Sequence, residues 1–232
     1  MMIDASVNFK KDKNQKFISV LMNLPINLRP IAYSEAEDES RVNIDLNKVT
    51  RIEDIIGCLW APDADYDTRL SMDGAFSVSI FGNEFDGIEQ MMRDFSELEI
   101  EFGYACHCDE RLHRNRIIQK KEYGTLESWV GRDYNKYLPG LYWITLIPNS
   151  LIKKFGVNID EIRQISDKFE IKPNGNIFAR FYDDPDQWQS RAEAIDSWCA
   201  RTPGCFYKPP IENEAAKIPD FMGMSDFLFD YR

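Results

Sequence analysis

Histidine is almost absent: His107 and His113 are the two in 232 residues. Any Ser–His or Cys–His nucleophile pair must therefore use one of them, and both fall in a charged stretch. The chain lacks a G-x-S-x-G elbow, a Walker loop, a G-x-G-x-x-G turn and an H-E-x-x-H helix. It has 5 cysteines, at 58, 106, 108, 199 and 205, an odd number without framework spacing. Reduced thiols in the cytosol are the expectation. No apolar run approaches the ~18 residues of a membrane helix, and the first sixteen residues have no apolar signal core, so a cytoplasmic protein is expected. Positive charge is short as well: 28 Lys and Arg stand against 39 Asp and Glu, a net charge of -11. Such a field repels phosphate, which argues against nucleic-acid binding, and attracts a cationic protein.

What is present belongs to a folded chain. Hydrophobic residues make up 44% and aromatic residues 13%, enough for a sizeable core. Two turns stand out. Asp73-Gly74, between Leu70 and the alternating Phe76, Val78 and Ile80, predicts a tight hairpin; so does Asn174-Gly175, between Phe169, Ile171 and Ile177, Ala179, Phe181. Phe17–Met22 and Arg41–Leu46 read as strands. Leu98–Cys106 alternates with Glu99, Glu101 and Gly103 as a half-buried strand with an acidic outer face, and Leu141–Ile147 as a central strand. Helices are predicted after Thr50 (a capping box with Glu53, then Ile52, Ile55, Ile56 and Leu59), after Asn83, after Pro148-Asn149 up to Gly156, after Asn158, and from Asp186 to Thr202. The order of signals predicts an α+β fold, antiparallel sheets with packed helices, in two pseudo-repeated ββαββα halves. The halves would be 1–106 and 135–210, joined by a connection at 107–134 and closed by a docked tail at 211–232. Just before that tail Pro209-Pro210 would end regular structure, and within it Phe221, Phe227, Leu228 and Phe229 would anchor.

Three constellations could carry chemistry. Cys106-His107-Cys108 with His113 is metal-like, but it lacks a second ligand pair, and strand alternation would set the cysteines opposite His107. Asp63-Ala64-Asp65-Tyr66-Asp67 begins like a calcium loop, yet Thr68 and Gly74 stand where Gly and Glu are needed. Asp183-Asp184 could pair as acid and base, but no electrophile-binding element accompanies them. Neither metal, cofactor nor catalytic residue is therefore assigned. An acidic surface loop at 63–67 and a solvated turn at 183–184 are the plain readings of the two acidic segments, and partner contact is the sharper one.

Pro139-Gly140-Leu141-Tyr142-Trp143-Ile144-Thr145, then Leu151 to Phe155-Gly156-Val157, the hairpin to Phe181 and the helix with Trp188, resemble the immunity protein 52 group and the related type VI secretion immunity family. Members show a Gly-Leu-Tyr-Trp strand, a Leu-Gly helix end and a closing turn similar to Phe206-Tyr207-Lys208-Pro209. The similarity covers roughly 135–210. The acidic 35–39 run and the charged connection have no counterpart. The resemblance implies a cognate antitoxin, without catalysis, that occludes a secreted bacterial toxin, usually a restriction-endonuclease-like nuclease. Its expected contacts are acidic loops with an aromatic nearby: Asp63, Asp65, Tyr66 and Asp67; Asp183, Asp184 and Trp188; and Glu35, Glu37, Asp38 and Glu39. Trp188 also lies on the core side of its predicted helix. A small-molecule or metal-dependent enzyme and a non-catalytic scaffold subunit are the alternatives.

Overall fold

The structure, a computed structural model, describes residues 2–10, 16–72, 74–131 and 133–229. Its strands are β1 (Ile3–Phe9), β2 (Ala32–Ser34), β3 (Val42–Asn43), β4 (Gly57–Trp60), β5 (Ala64–Leu70), β6 (Phe76–Gly82), β7 (Ile100–His107), β8 (Arg116–Lys121), β9 (Gly124–Trp129), β10 (Ile144–Ile147), β11 (Lys168–Ile171) and β12 (Ile177–Arg180). The helices are α1 (Phe17–Asn23), α2 (Phe85–Phe95), α3 (Cys108–Asn115), α4 (Asn149–Phe155), α5 (Ile159–Ile165), α6 (Trp188–Arg201), α7 (Lys208–Lys217) and α8 (Phe221–Phe229). Ten strands pair antiparallel in the order β11-β12-β10-β7-β1-β6-β5-β4-β2-β3, and β8 and β9 form a separate hairpin. This is the expected α+β class. The repeat is not seen as such: residues 1–106 run βαββ, two 3₁₀ turns, βββα and β, whereas 135–210 run βααββα.

Alternation decides what the sheet buries. Ile3, Ala5, Val7 and Phe9 of β1 share a face with Phe76, Val78 and Ile80 of β6, and all are fully or almost fully buried. Phe17 and Phe95 close this face from α1 and α2; Phe17 meets Phe9 edge-on with centroids 5.5 Å apart and stacks on Phe95 at 5.5 Å. Phe17–Met22 is thus a helix rather than a strand. Both hairpins form where expected, with Gly175 at φ 82; Asp73 lies outside the described residues. Asn158 caps α5 by accepting from the backbone of Asp160 and Glu161, and Gly156 ends α4 at φ 61.

Other starts differ. The Thr50 helix is only a 3₁₀ turn, Ile52–Ile55, and Asp54 rather than Thr50 closes it by accepting from the Arg51 N–H. Gly57 then begins β4 at φ 134. A Cβ there would sit 2.5 Å from the Ser34 carbonyl oxygen and 2.9 Å from that of Glu35. Gly57→Ala should therefore strain the backbone, push β2 and the following acidic loop from β4, and cost about 2 kcal/mol or more in urea unfolding. Glu84, not Asn83, caps α2 by accepting from Gly87 N at 2.6 Å. Pro209 and Pro210 occupy the first turn of α7 instead of ending structure, because the orphan N–H positions there need no donor.

β7 is not half-exposed. It lies between β1 and β10, and on the face away from α2 Tyr142 stacks on Tyr104 at 4.5 Å while Tyr134 packs on Phe102 at 5.6 Å. Residues 107–134 hold α3 and the β8–β9 hairpin. α3 is fastened inward by charge: Glu110 is fully buried, accepts from Arg114 Nε at 2.9 Å and from the Tyr182 hydroxyl, and faces the Trp143 N–H at 3.3 Å. Arg114 reaches on to Asp196 of α6. A second apolar cluster joins the β8–β9 hairpin to α7 and α8 through Ile117, Val130, Tyr137, Phe206, Ile211, Ala215, Met224 and Leu228. Leu228 and Met224 anchor α8, while Phe221 and Phe229 stay exposed.

Candidate functional site

The second face of β5 and β6 is partly open: among the described residues its side chains are exposed or half-buried. On β5 the side chains opposite the buried Ala64, Tyr66 and Thr68 are Asp65, Asp67 and Arg69; on β6 those opposite Phe76, Val78 and Ile80 are Ser77, Ser79 and Phe81. Register sets them in rows. Trp60, Asp65, Phe81 and Asp4 line up across β4, β5, β6 and β1, and Cys58, Asp67, Ser79 and Ser6 form the next row. Phe81 is 37% exposed on this otherwise polar floor, and Met2 is 52% exposed beside it, lining the same shallow depression with Asp63 and Asp65.

The loop between β2 and β3 forms one edge of this face. β2 pairs with β4, so the chain after Ser34 emerges next to Cys58 and Trp60. Glu35, Glu37, Asp38 and Glu39 are all exposed there. Burial first raises the pKa of the Cys58 thiol, the Asp65 carboxyl and the Tyr33 hydroxyl; Glu37 adds to it at Cys58 and Asp65, and Glu35 and Glu39 add to it at Tyr33. Arg41 returns from the loop and lays its guanidinium over the Trp60 ring, 3.4 Å from the centroid. The Trp60 Nε1–H donates to the Ser34 hydroxyl at 3.1 Å, fixing the indole edge.

Asp65 is the carboxylate most shaped by this setting. Surrounding protein desolvates it and raises its pKa above the ordinary value; Arg41 opposes that and Glu37 reinforces it. Asp67 ion-pairs with Arg69 at 2.5 Å. Asp63 accepts from Asn27 at 3.0 Å at the turn before β5. The face thus combines several acids, two arginines and one exposed ring.

Two of the three predicted acidic groups therefore converge here, 35–39 with 63–67. The third does not. Asp183 pairs with Arg180, and Asp184 caps the turn into α6 by accepting from Asp186 N at 2.9 Å, so Asp186 is not the cap. Their strand, β12, is separated from β5 by β10, β7, β1 and β6, which at ~4.8 Å per strand is roughly 24 Å. Both predicted aromatic anchors are inward. Tyr66 is 1% exposed and donates to the Leu28 carbonyl at 2.5 Å; Trp188 is 8% exposed, with its ring 5.3 Å from that of His113. Asp65-Tyr66-Asp67 alternates on a strand, so the acids and the tyrosine must point opposite ways. Phe81 is the exposed ring of this face, whereas Trp60, 9% exposed, lies beneath the Arg41 guanidinium. Phe81 was detectable as the one apolar residue out of phase with Phe76, Val78 and Ile80.

Cys106 is buried beside Asp4, whereas His107 ends β7 and caps α3 by accepting from Asp109 N at 3.1 Å. Cys108 is therefore helical and does not share a strand face with Cys106. Among the described residues no three His, Cys, Asp or Glu side chains are grouped to hold a metal ion. A cavity of about 140 Å³ lies elsewhere, between α3, α6 and α7, lined by His113, Arg114, Asp196, Cys199 and Lys208 among others. His113 Nε2 lies 3.0 Å from Asp196 Oδ2. Among the described residues no helix is long and apolar enough to cross a membrane. Comparison of the chain with family models, curated proteins and solved structures finds no match.

Proposed function

We propose that this chain is an immunity protein that neutralises a nuclease-like bacterial toxin by covering its cationic surface with the open face of β4, β5 and β6. The observation that carries the reading is the convergence of the Glu35–Glu39 loop with Asp65 and Asp67 around an exposed Phe81. A nuclease must be basic where it holds phosphate, and an overall charge of -11 steers an acidic inhibitor towards it. Burial of one ring at the centre, ringed by polar groups, is the usual arrangement of a tight interface. A standard contact buries about 1,600 Å² in total, which asks for more than this floor, so the 35–41 loop and the Met2–Asp63 depression belong to the footprint. Residues 139–145 and Phe206, part of the segments that resemble the immunity families, are buried and support the fold, whereas Tyr207 and Lys208 are half-buried and Pro209 is exposed.

The reading is tested by titrating the chain into a cleavage assay of the toxin domain encoded beside its gene. One equivalent should abolish cleavage. Undiminished cleavage at excess would overturn the proposal. A small-molecule enzyme is the second reading, favoured by the cavity that brings Cys199 and the His113–Asp196 pair together; metabolite turnover by the purified chain alone would select it.

A further inference from the structure

Arg114 has three guanidinium nitrogens, and two of them are occupied. Nε donates to Glu110 at 2.9 Å, and Nη1 donates to Asp196 of α6. Nη2 is buried and, among the described residues, has no hydrogen-bond partner. The side chain is 6% exposed, and Arg114 lines the cavity of about 140 Å³ between α3, α6 and α7. With the other two nitrogens held by carboxylates, Nη2 is what Arg114 offers to a molecule there. A buried N–H without an acceptor is costly, so the cavity favours an occupant that supplies one. Leu141, Cys199 and Phe206 are buried and give the cavity an apolar wall, while His113 and Pro209 are exposed at its rim. Lys208 Nζ donates to the His113 carbonyl at 2.7 Å and stays 3.7 Å from Glu212 Oε1, beyond a hydrogen bond.

We infer that this cavity binds a small uncharged carboxamide whose apolar body is about the size of one ring. Size is the first argument, since a cavity of roughly 150 Å³ engineered into another protein holds benzene. Charge is the second. Arg114 and Lys208 line the cavity together with Asp196 and Glu212, two cations against two anions, and Glu110 already lies against Arg114. A carboxylate ligand would meet those acids, and a cation would leave Nη2 without an acceptor. Hydrogen bonding is the third argument. The amide carbonyl oxygen accepts from Arg114 Nη2, and the amide NH2 donates to a carboxylate oxygen of Asp196 or Glu212, both of which keep unused lone pairs. The apolar body lies against Leu141 and Phe206. The site shares no residue with the open face of β4, β5 and β6, so it is independent of the toxin reading.

The test titrates the full chain with three probes of one shape, benzamide, benzoate and benzamidine, and follows backbone amide signals by NMR. Benzamide should saturate with a Kd of about 1 mM or below and move the signals of Gly140, Leu141, Cys199 and Phe206. The anion and the cation should each bind at least about tenfold more weakly, because each leaves a buried polar group unpaired. Arg114→Lys keeps a cation for Glu110 but has no third nitrogen. It should weaken benzamide about tenfold and abolish the preference over benzoate, whereas a merely structural loss would weaken all three probes alike. Benzoate or benzamidine binding as tightly as benzamide, shifts confined to other parts of the chain, or no saturation by about 10 mM benzamide, the behaviour of a cavity that holds only water, would each overturn the inference. The wild-type titration decides even where the variant folds poorly.

Discussion

Replacing Glu110 with alanine should lower unfolding stability by about 3–5 kcal/mol, the cost of leaving a buried partner charge uncompensated. Glu110 is fully buried, and Arg114, its partner at 2.9 Å, is 7% exposed. Burial works against the Arg114 charge, but Glu110 and then Asp196 outweigh it and hold the guanidinium cationic. Without Glu110 the arginine keeps only Asp196, and the Tyr182 hydroxyl, 3% exposed by residue, loses its acceptor. Glu110→Gln keeps a carbonyl acceptor and should cost less, because one hydrogen bond survives where the charge does not. Urea unfolding with an unchanged slope checks both. A loss below about 1 kcal/mol for the alanine variant would mean that α3 is held by packing rather than by this ion chain.

Charge reversal at Asp65 and Asp67 together should slow association with the toxin about 10- to 100-fold at low salt, and less as salt screens the field. Both carboxylates project from the open face, and among the described residues Asp65 makes no ion pair within 4 Å. A pH dependence follows from the same group. Asp65 titrates above the ordinary 3.8, through burial first, with Arg41 opposing and Glu37 adding. Only the ionised form attracts a cation. Affinity should therefore rise as pH climbs through that raised value, and complex formation should release protons when measured within the titration range. In the Asp65→Asn variant this part of the pH dependence should vanish. Stopped-flow association across salt and pH reads both effects; an unchanged rate for the double reversal would remove this face from the interface.

The sequence was readable where local chemistry decides. Asn174-Gly175 and Gly74 mark turns because positive φ is cheap there, and Asn158 and Gly156 mark helix ends by side-chain capping and left-handed geometry. It was unreadable where a short apolar run suits either element. Phe17–Met22 has the residues of a buried strand but packs as α1, because Phe9, Phe76 and Phe95 already form the pocket that receives Phe17. Ile52 to Leu59 has helical spacing, yet Gly57 at φ 134 breaks it and pairing with β5 captures the remainder. The site shows the same division. Alternation could place Asp65 and Asp67 on one face, but bringing Glu37 beside them depends on β2 pairing with β4, a contact between residues some 24 apart that no local signal encodes.

Hydroxyl-radical footprinting of the chain with and without the toxin domain tests the central claim most directly, because the open face carries its own reporters. Phe81 and Met2, both exposed in the free chain, should lose most of their oxidation in the complex, while Met222 and Phe229 of α8 keep theirs. Unchanged oxidation of Phe81 and Met2, with protection moved to α8, would contradict the account.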